Sequence, residues 1–95
     1  MDTGMTTEDS GDHIDFGYEC DLHHFHPRDT AMVVNEFIRQ AVEKGLKTIR
    51  LVHGKGRSVK KREIYAILES HPRVISFGND GSNWGATIIR LDDGK

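Results

Sequence analysis

An α/β fold, with a mixed four-stranded sheet packed against two helices in the order β-α-β-α-β-β, is what this 95-residue sequence predicts. Three observations predict it. Apolar residues recur at helical spacing in two stretches, around Val34–Ala41 and Ile64–Leu68. Short runs of strand character, several of them β-branched, lie before, between and after those stretches. Proline, glycine and their usual turn companions punctuate the joints.

Met1 to Gly17 is polar, acidic and short of large apolar residues, and reads as a disordered tail in front of one domain spanning 18–92. Tyr18-Glu19-Cys20-Asp21-Leu22 alternates, which predicts a strand with Tyr18, Cys20 and Leu22 on one face and Glu19, Asp21 and His23 on the other. Pro27 breaks the chain, and Asp29 or Thr30 can cap a helix whose buried stripe is Val34, Phe37, Ile38 and Ala41. Gly45 is placed to end that helix at C′, with Lys44 favourable at the negative end of the dipole. Thr48–Val52 is a second strand, His53-Gly54-Lys55-Gly56-Arg57 a flexible loop, and Ser58 the start of a second helix stopped by His71-Pro72. Val74–Phe77 reads as a third strand, Gly78–Gly85 as a turn-rich loop, and Ala86–Leu91 as a fourth strand. The first three strands, joined by helices, should run parallel, and the last two should form an antiparallel hairpin.

Composition narrows the function. No apolar run reaches the roughly 20 residues a membrane span needs, and the acidic N-terminus is no secretory signal. A single cysteine, Cys20, fits a reducing compartment, so a cytoplasmic protein is expected. The net charge of −2 is unevenly spread: the seven acids up to Asp21 face no Lys or Arg, whereas Leu22–Leu91 carries twelve bases against six acids. A basic domain behind an acidic tail is compatible with a polyanionic partner.

Ligands in open α/β sheets bind beyond the carboxyl ends of the parallel strands. Two loops sit there: His23-His24-Phe25-His26 after the first strand and His53-Gly54-Lys55-Gly56 after the second. If those strands are neighbours, about 4.8 Å apart, His23 and His53 can face one small volume, with Asp21 roughly 6.6 Å along the strand from His23. Gly54 and Gly56 permit positive φ and uncovered backbone N–H groups, and Lys55, Arg57, Lys60, Lys61 and Arg62 add charge at the start of the second helix. Cations there oppose the helix dipole, a cost that a bound phosphate backbone would reverse. The loop is no Walker A motif, lacking both its spacing and the Ser/Thr after Lys.

Cys20-Asp21-Leu22-His23-His24, His53-Gly54-Lys55-Gly56 and Gly85-Ala86-Thr87-Ile88-Ile89, in that order, resemble the three motifs of the Smr (small MutS-related) domain family. The resemblance covers about Tyr18 to Leu91; His24 stands where the family has Gly and Cys20 where it has Leu. It implies a two-layer α/β sandwich, binding of DNA or RNA and, in some members, metal-independent nicking endonuclease or ribonuclease activity. It places the implicated residues at Asp21, His23, His53, Gly54, Lys55 and Gly56. No cofactor is implied.

Phosphodiester hydrolysis needs a proton taken from the nucleophile, one given to the leaving oxygen, and charge stabilisation at phosphorus. His23 and His53, near pKa 6.5, can divide the first two tasks, with Asp21 orienting one of them. Lys55 and the Gly54–Gly56 amides can supply the third. The alternative is a binding module without catalysis, docking on branched DNA or structured RNA; a protein-interaction domain using the acidic tail is a weaker third. Trp84 is a candidate base-stacking residue, or equally a cover for the core edge. Phe25 reads as a hydrophobic plug, and His13, His24, His26 and His71 as ordinary polar residues. Cys20, His23 and His26 have the residue types of a zinc site, but strand alternation points Cys20 away from His23, so no metal is expected.

Overall fold

The structure, a computed structural model, describes residues 16–54 and 58–92, with backbone alone at Ser58, Val59 and Trp84. The elements are β1 (Glu19–Asp21), two 3₁₀ turns (Leu22–His24 and Pro27–Asp29), α1 (Thr30–Glu43), β2 (Thr48–Val52), α2 (Ser58–Ser70), β3 (Val74–Asp80) and β4 (Asn83–Leu91). The strands form one mixed sheet in the order β1-β2-β4-β3. β1 and β2 pair in parallel, Cys20 opposite Leu51, while β4 runs antiparallel to both β2 and β3. The first three strands therefore share one direction, as expected, but β4 lies between β2 and β3. The α/β class, the mixed four-stranded sheet and its two helices are those read from the sequence.

One core joins the sheet to both helices. Val34, Phe37, Ile38 and Ala41 of α1 and Ile64 and Leu68 of α2 are buried against Ile49, Leu51, Ile89 and Leu91 of the sheet. α1 stops as its sequence dictates: Gly45 adopts φ +78°, its N–H donates to Val42 O at 3.1 Å, and the Leu46 N–H donates to Ala41 O at 2.9 Å. Those two bonds are the Schellman pair, and they return the chain toward β2.

Three sequence expectations change. Phe16, assigned to the tail, is buried, with its ring 5.9 Å from Phe25 and 5.4 Å from Phe37. Its N–H donates to the buried Gln40 Oε1 at 3.0 Å. Residues 1–15 of the acidic tail lie outside the described residues. Tyr18, expected to face inward, is 63% exposed, because it precedes the paired ladder of β1. The segment expected to be a loop, Gly78–Gly85, is mostly strand: only Gly81 and Ser82 turn, and Gly81 has φ +58° as a primed hairpin turn requires.

β1 pairs over only three residues, yet it carries the site. On the face away from the core, Arg50 of β2 holds it in place. Its guanidinium donates to Asp80 Oδ2 at 2.8 Å and meets Glu19 Oε1 at 3.3 Å. One side chain thereby ties β1, β2 and β3 in register.

Candidate functional site

Asp21 ends β1 and caps the first 3₁₀ turn. Its Oδ1 accepts the His23 N–H at 2.9 Å and the His23 Nδ1–H at 2.8 Å. The two residues were expected on one strand face, several ångströms apart; the turn brings them into direct contact instead. The pair fixes the imidazole tautomer: with Nδ1–H given to the carboxylate, Nε2 is the basic nitrogen. The donated backbone N–H, above all, holds the Asp21 carboxyl below the usual carboxylate range, against a smaller desolvation effect, with the His23 ring and the more distant His24 assisting. His23 is well exposed, so this base is open to a ligand.

His53 follows β2 and differs in kind. Only 2% of it is exposed. Its Nδ1–H donates to Gly54 O at 3.2 Å, and its Nε2 is 2.8 Å from Thr87 Oγ1, which lies 3.3 Å from the Tyr65 hydroxyl. Burial pushes the His53 imidazole below the ordinary histidine range, and the Gly54 carbonyl only partly offsets this. With Nδ1–H given to the Gly54 carbonyl the neutral ring accepts at Nε2, and the Thr87 hydroxyl has a single proton to give either there or to the Tyr65 oxygen.

Gly54 joins the two histidines. It adopts φ +90°, and a Cβ there would meet His23 Nε2 at 3.0 Å. Its N–H, however, donates to Gly85 O at 2.8 Å, beside the His53 N–H at 3.0 Å. The Gly54 amide, read from the sequence as an anion donor, is therefore spent on tying β2 to β4. Lys55, Gly56 and Arg57 lie outside the described residues.

Leu22, His23, Phe25, Pro27, His53 and Lys60 line one open cleft of about 270 Å³. Both histidines reach it, as expected, along with one of the cations at the start of α2. Lys60 Nζ donates to Thr30 Oγ1 at 3.0 Å, and that hydroxyl donates to Pro27 O at 2.7 Å, which holds the ammonium at the cleft. Lys61 turns the other way, donating to Asn79 Oδ1 at 2.8 Å with its Nζ 5.4 Å from the Tyr65 ring centroid. Arg62 is exposed on a third side. Helix steps of about 100° send the three side chains in different directions. His24 is not among the lining residues; its Nε2 is 3.9 Å from Asp21 Oδ2.

Cys20 is buried in the core, its thiol pushed up to about 12 by desolvation and by the Asp21 carboxylate. It is neither a nucleophile nor a ready thiolate ligand. Among the described residues no three His, Cys, Asp or Glu side chains form a group that could hold a metal ion, and no helix is long and apolar enough to cross a membrane.

The sequence reading assigned no site role to Thr87 or Tyr65. Thr87 had a signal: a polar residue at an inward position of an otherwise apolar strand asks for a buried partner. Tyr65 had none. Trp84 lies in β4 rather than on a loop.

Residues 20–92 match the family model described as the Smr domain. The chain is 35% identical over 69 residues to Endonuclease MutS2 of Caldicellulosiruptor bescii, covering 68% of this chain and 9% of that protein. It is 30% identical over 76 residues to Endonuclease MutS2 of Brevibacillus brevis, covering 77% and 10%. The chain thus spans about a tenth of the length of these curated relatives. The Smr domain of Thermus thermophilus MutS2 superposes with a TM-score of 0.72 at 30% identity, over 80% of this chain and 99% of that one. YdaL, a stand-alone small MutS-related protein from Escherichia coli, shares the fold at a TM-score of 0.65 and 23% identity, over 78% and 63% of the two chains.

Proposed function

The chain belongs to the Smr domain family, and from that premise we propose that it binds nucleic acid at the cleft beyond β1 and β2 and cuts the phosphodiester backbone there without a metal ion. The observation that carries this is the Asp21–His23 pair, whose exposed imidazole lines the cleft where Lys60 is held. His23 takes the proton of the attacking oxygen, and Asp21 stabilises the imidazolium that results. The Lys60 ammonium meets the charge that builds on the phosphoryl oxygens. In the open cleft the leaving oxygen takes its proton from solvent. His53 acts at one remove as a positioning residue, because its ring nitrogens are engaged by Gly54 and Thr87. The relatives named as endonucleases agree with this reading. The single, buried thiol suits a reducing compartment, which supports a cytoplasmic location.

That same engagement of His53 favours a second reading: a domain that grips DNA or RNA and leaves it intact. Turnover separates the two. Supercoiled plasmid and a structured RNA, each incubated with the protein and a chelator, should be cut by the wild type and left intact by His23→Ala. Asp21→Asn should slow cutting by about 10-fold or more. Binding to both substrates with no cleavage of either would leave the binding module alone. Cleavage that survives His23→Ala would remove His23 from the mechanism.

A further inference from the structure

Two chemistries line the cleft: His23 and Lys60 are basic, whereas Leu22, Phe25 and Pro27 are apolar. A surface built only to grip the outside of a double helix has no use for the apolar part, because a duplex presents sugar and phosphate outward and keeps its bases stacked within. An unpaired nucleotide carries both chemistries at once. The geometry points to a nucleobase subsite against Phe25 and Pro27, so that the phosphate offered to His23 and Lys60 belongs to a nucleotide whose base is unstacked. This rests on the proposed function above and names the substrate class for it: single-stranded or locally melted nucleic acid.

The apolar part is rigid. Phe25 sits between the two 3₁₀ turns, its N–H donating to Leu22 O at 3.1 Å, and its ring leans on Phe16 with centroids 5.9 Å apart. It is half-buried, so it packs on the core and still reaches the cleft. Pro27 opens the second turn, with the ring fixing its backbone, and Thr30 Oγ1 donates to its carbonyl at 2.7 Å. Lys60 is hydrogen-bonded to that same Thr30 oxygen, which places the cation beside the apolar wall. A platform held before the ligand arrives loses little entropy on binding. The cleft, open and about 270 Å³ in volume, leaves room for a base beside its phosphate. An aromatic or proline face reads no hydrogen-bond pattern, so the subsite tolerates any base.

The test compares single strands of equal charge with one another and with a duplex of twice that charge. A fluorescent thymidine dodecamer, its uridine counterpart, the thymidine dodecamer annealed to its complement, and an abasic deoxyribose-phosphate dodecamer are titrated with the full chain at fixed salt. The single strands are expected to bind about 10-fold tighter than the abasic strand, and tighter than the duplex. Phe25→Leu keeps apolar bulk against Phe16 and removes the ring face; it should bring the thymidine strand down to the abasic affinity and leave the abasic strand unchanged. If that variant fails to fold, the wild-type comparison of thymidine with abasic strand decides alone. Equal binding of those two strands, or tighter binding of the duplex, overturns the subsite. Base-dependent binding with no cleavage of any strand upholds the subsite and removes the catalytic reading. Cleavage equally efficient on thymidine and abasic strands upholds catalysis and removes the subsite.

Discussion

The His23 ring rests against the Cα of Gly54: a Cβ at that position would stand 3.0 Å from Nε2 and 3.3 Å from Cε1. The loop after β2 is thus the floor under the imidazole that follows β1, and the two motifs are coupled by contact. Gly54→Ala should act twice. The backbone at φ +90° costs about 1–2 kcal/mol for a residue with a Cβ, and the new methyl pushes the exposed His23 ring off its seat. Gly45 supplies the control, with φ +78° and nothing within 4 Å of its Cβ position. Gly45→Ala should show a comparable loss in urea melts and keep full nucleic-acid cleavage, whereas Gly54→Ala loses both. Equal activity in the two variants would break the coupling.

The Thr87 hydroxyl stands 2.8 Å from the buried His53 Nε2. Thr87→Val keeps the shape and removes that partner, stranding a buried acceptor at a cost of about 1–3 kcal/mol. Thr87→Ser keeps the hydroxyl and should lose clearly less. Tyr65→Phe, which removes a half-buried hydroxyl at 3.3 Å from Thr87, should cost under about 1 kcal/mol. Denaturant midpoints at constant slope check the ranking, and Val matching Ser would show that the hydroxyl is idle.

Burial, as the largest cause, pushes His53 below the ordinary histidine range, and burial followed by Arg73 does the same to His71. A base with a depressed folded-state pKa contributes stability that is fully present above its unfolded pKa of about 6.5. That contribution is lost as the pH falls below about 6.5, because the unfolded chain takes up the proton first. Stability should therefore decline on the acid side of neutrality, and His71→Gln should flatten only part of the decline. Proton NMR titration of the ring Cε1–H signals should give His53 and His71 midpoints below the ordinary histidine value. A His53 midpoint at or above that value would contradict its burial.

The sequence carried the fold further than the site because fold signals are local. Gly45 after the α1 stripe specified a helix end that the Schellman bonds realise, and Thr48–Val52 is a strand, as read from the sequence. Gly78–Gly85 misled because its Gly, Asn, Asp and Ser residues favour turns, whereas pairing with β4 imposes extended backbone and only Gly81 needs positive φ. At the site, Asp21 two residues before His23 is a side-chain capping pattern legible in the chain. The burial of His53 was not legible, since its partner Thr87 lies 34 residues away and nothing beside His53 announces it. The spread of Lys60, Lys61 and Arg62 follows from helix geometry, but which of them meets the cleft depends on Thr30, 30 residues from Lys60.

That spread makes the salt dependence of binding diagnostic. Each phosphate neutralised releases counterions and adds nearly one unit to the slope of log affinity against log salt, somewhat less for single strands. Lys60 is held at the cleft by Thr30, whereas Arg90 is exposed near the opposite end of β4 and borders a separate depression with Lys47 and Ile75. Lys60→Gln should lower the slope by about 1 and weaken binding at every salt concentration below the crossing point. Arg90→Gln, which removes the same charge from the same domain, should leave the slope unchanged. A general field effect would make the two substitutions equivalent, because both change the net charge by one unit. Lys61→Gln is the sharper comparison, since Lys61 neighbours Lys60 in sequence yet is turned to Asn79 and Tyr65. If Lys61→Gln lowers the slope as much as Lys60→Gln, phosphates run along the whole start of α2 and the cleft is only one stop on their path. If Lys60→Gln alone lowers it, the backbone of the bound strand enters at His23 and leaves without reaching β3.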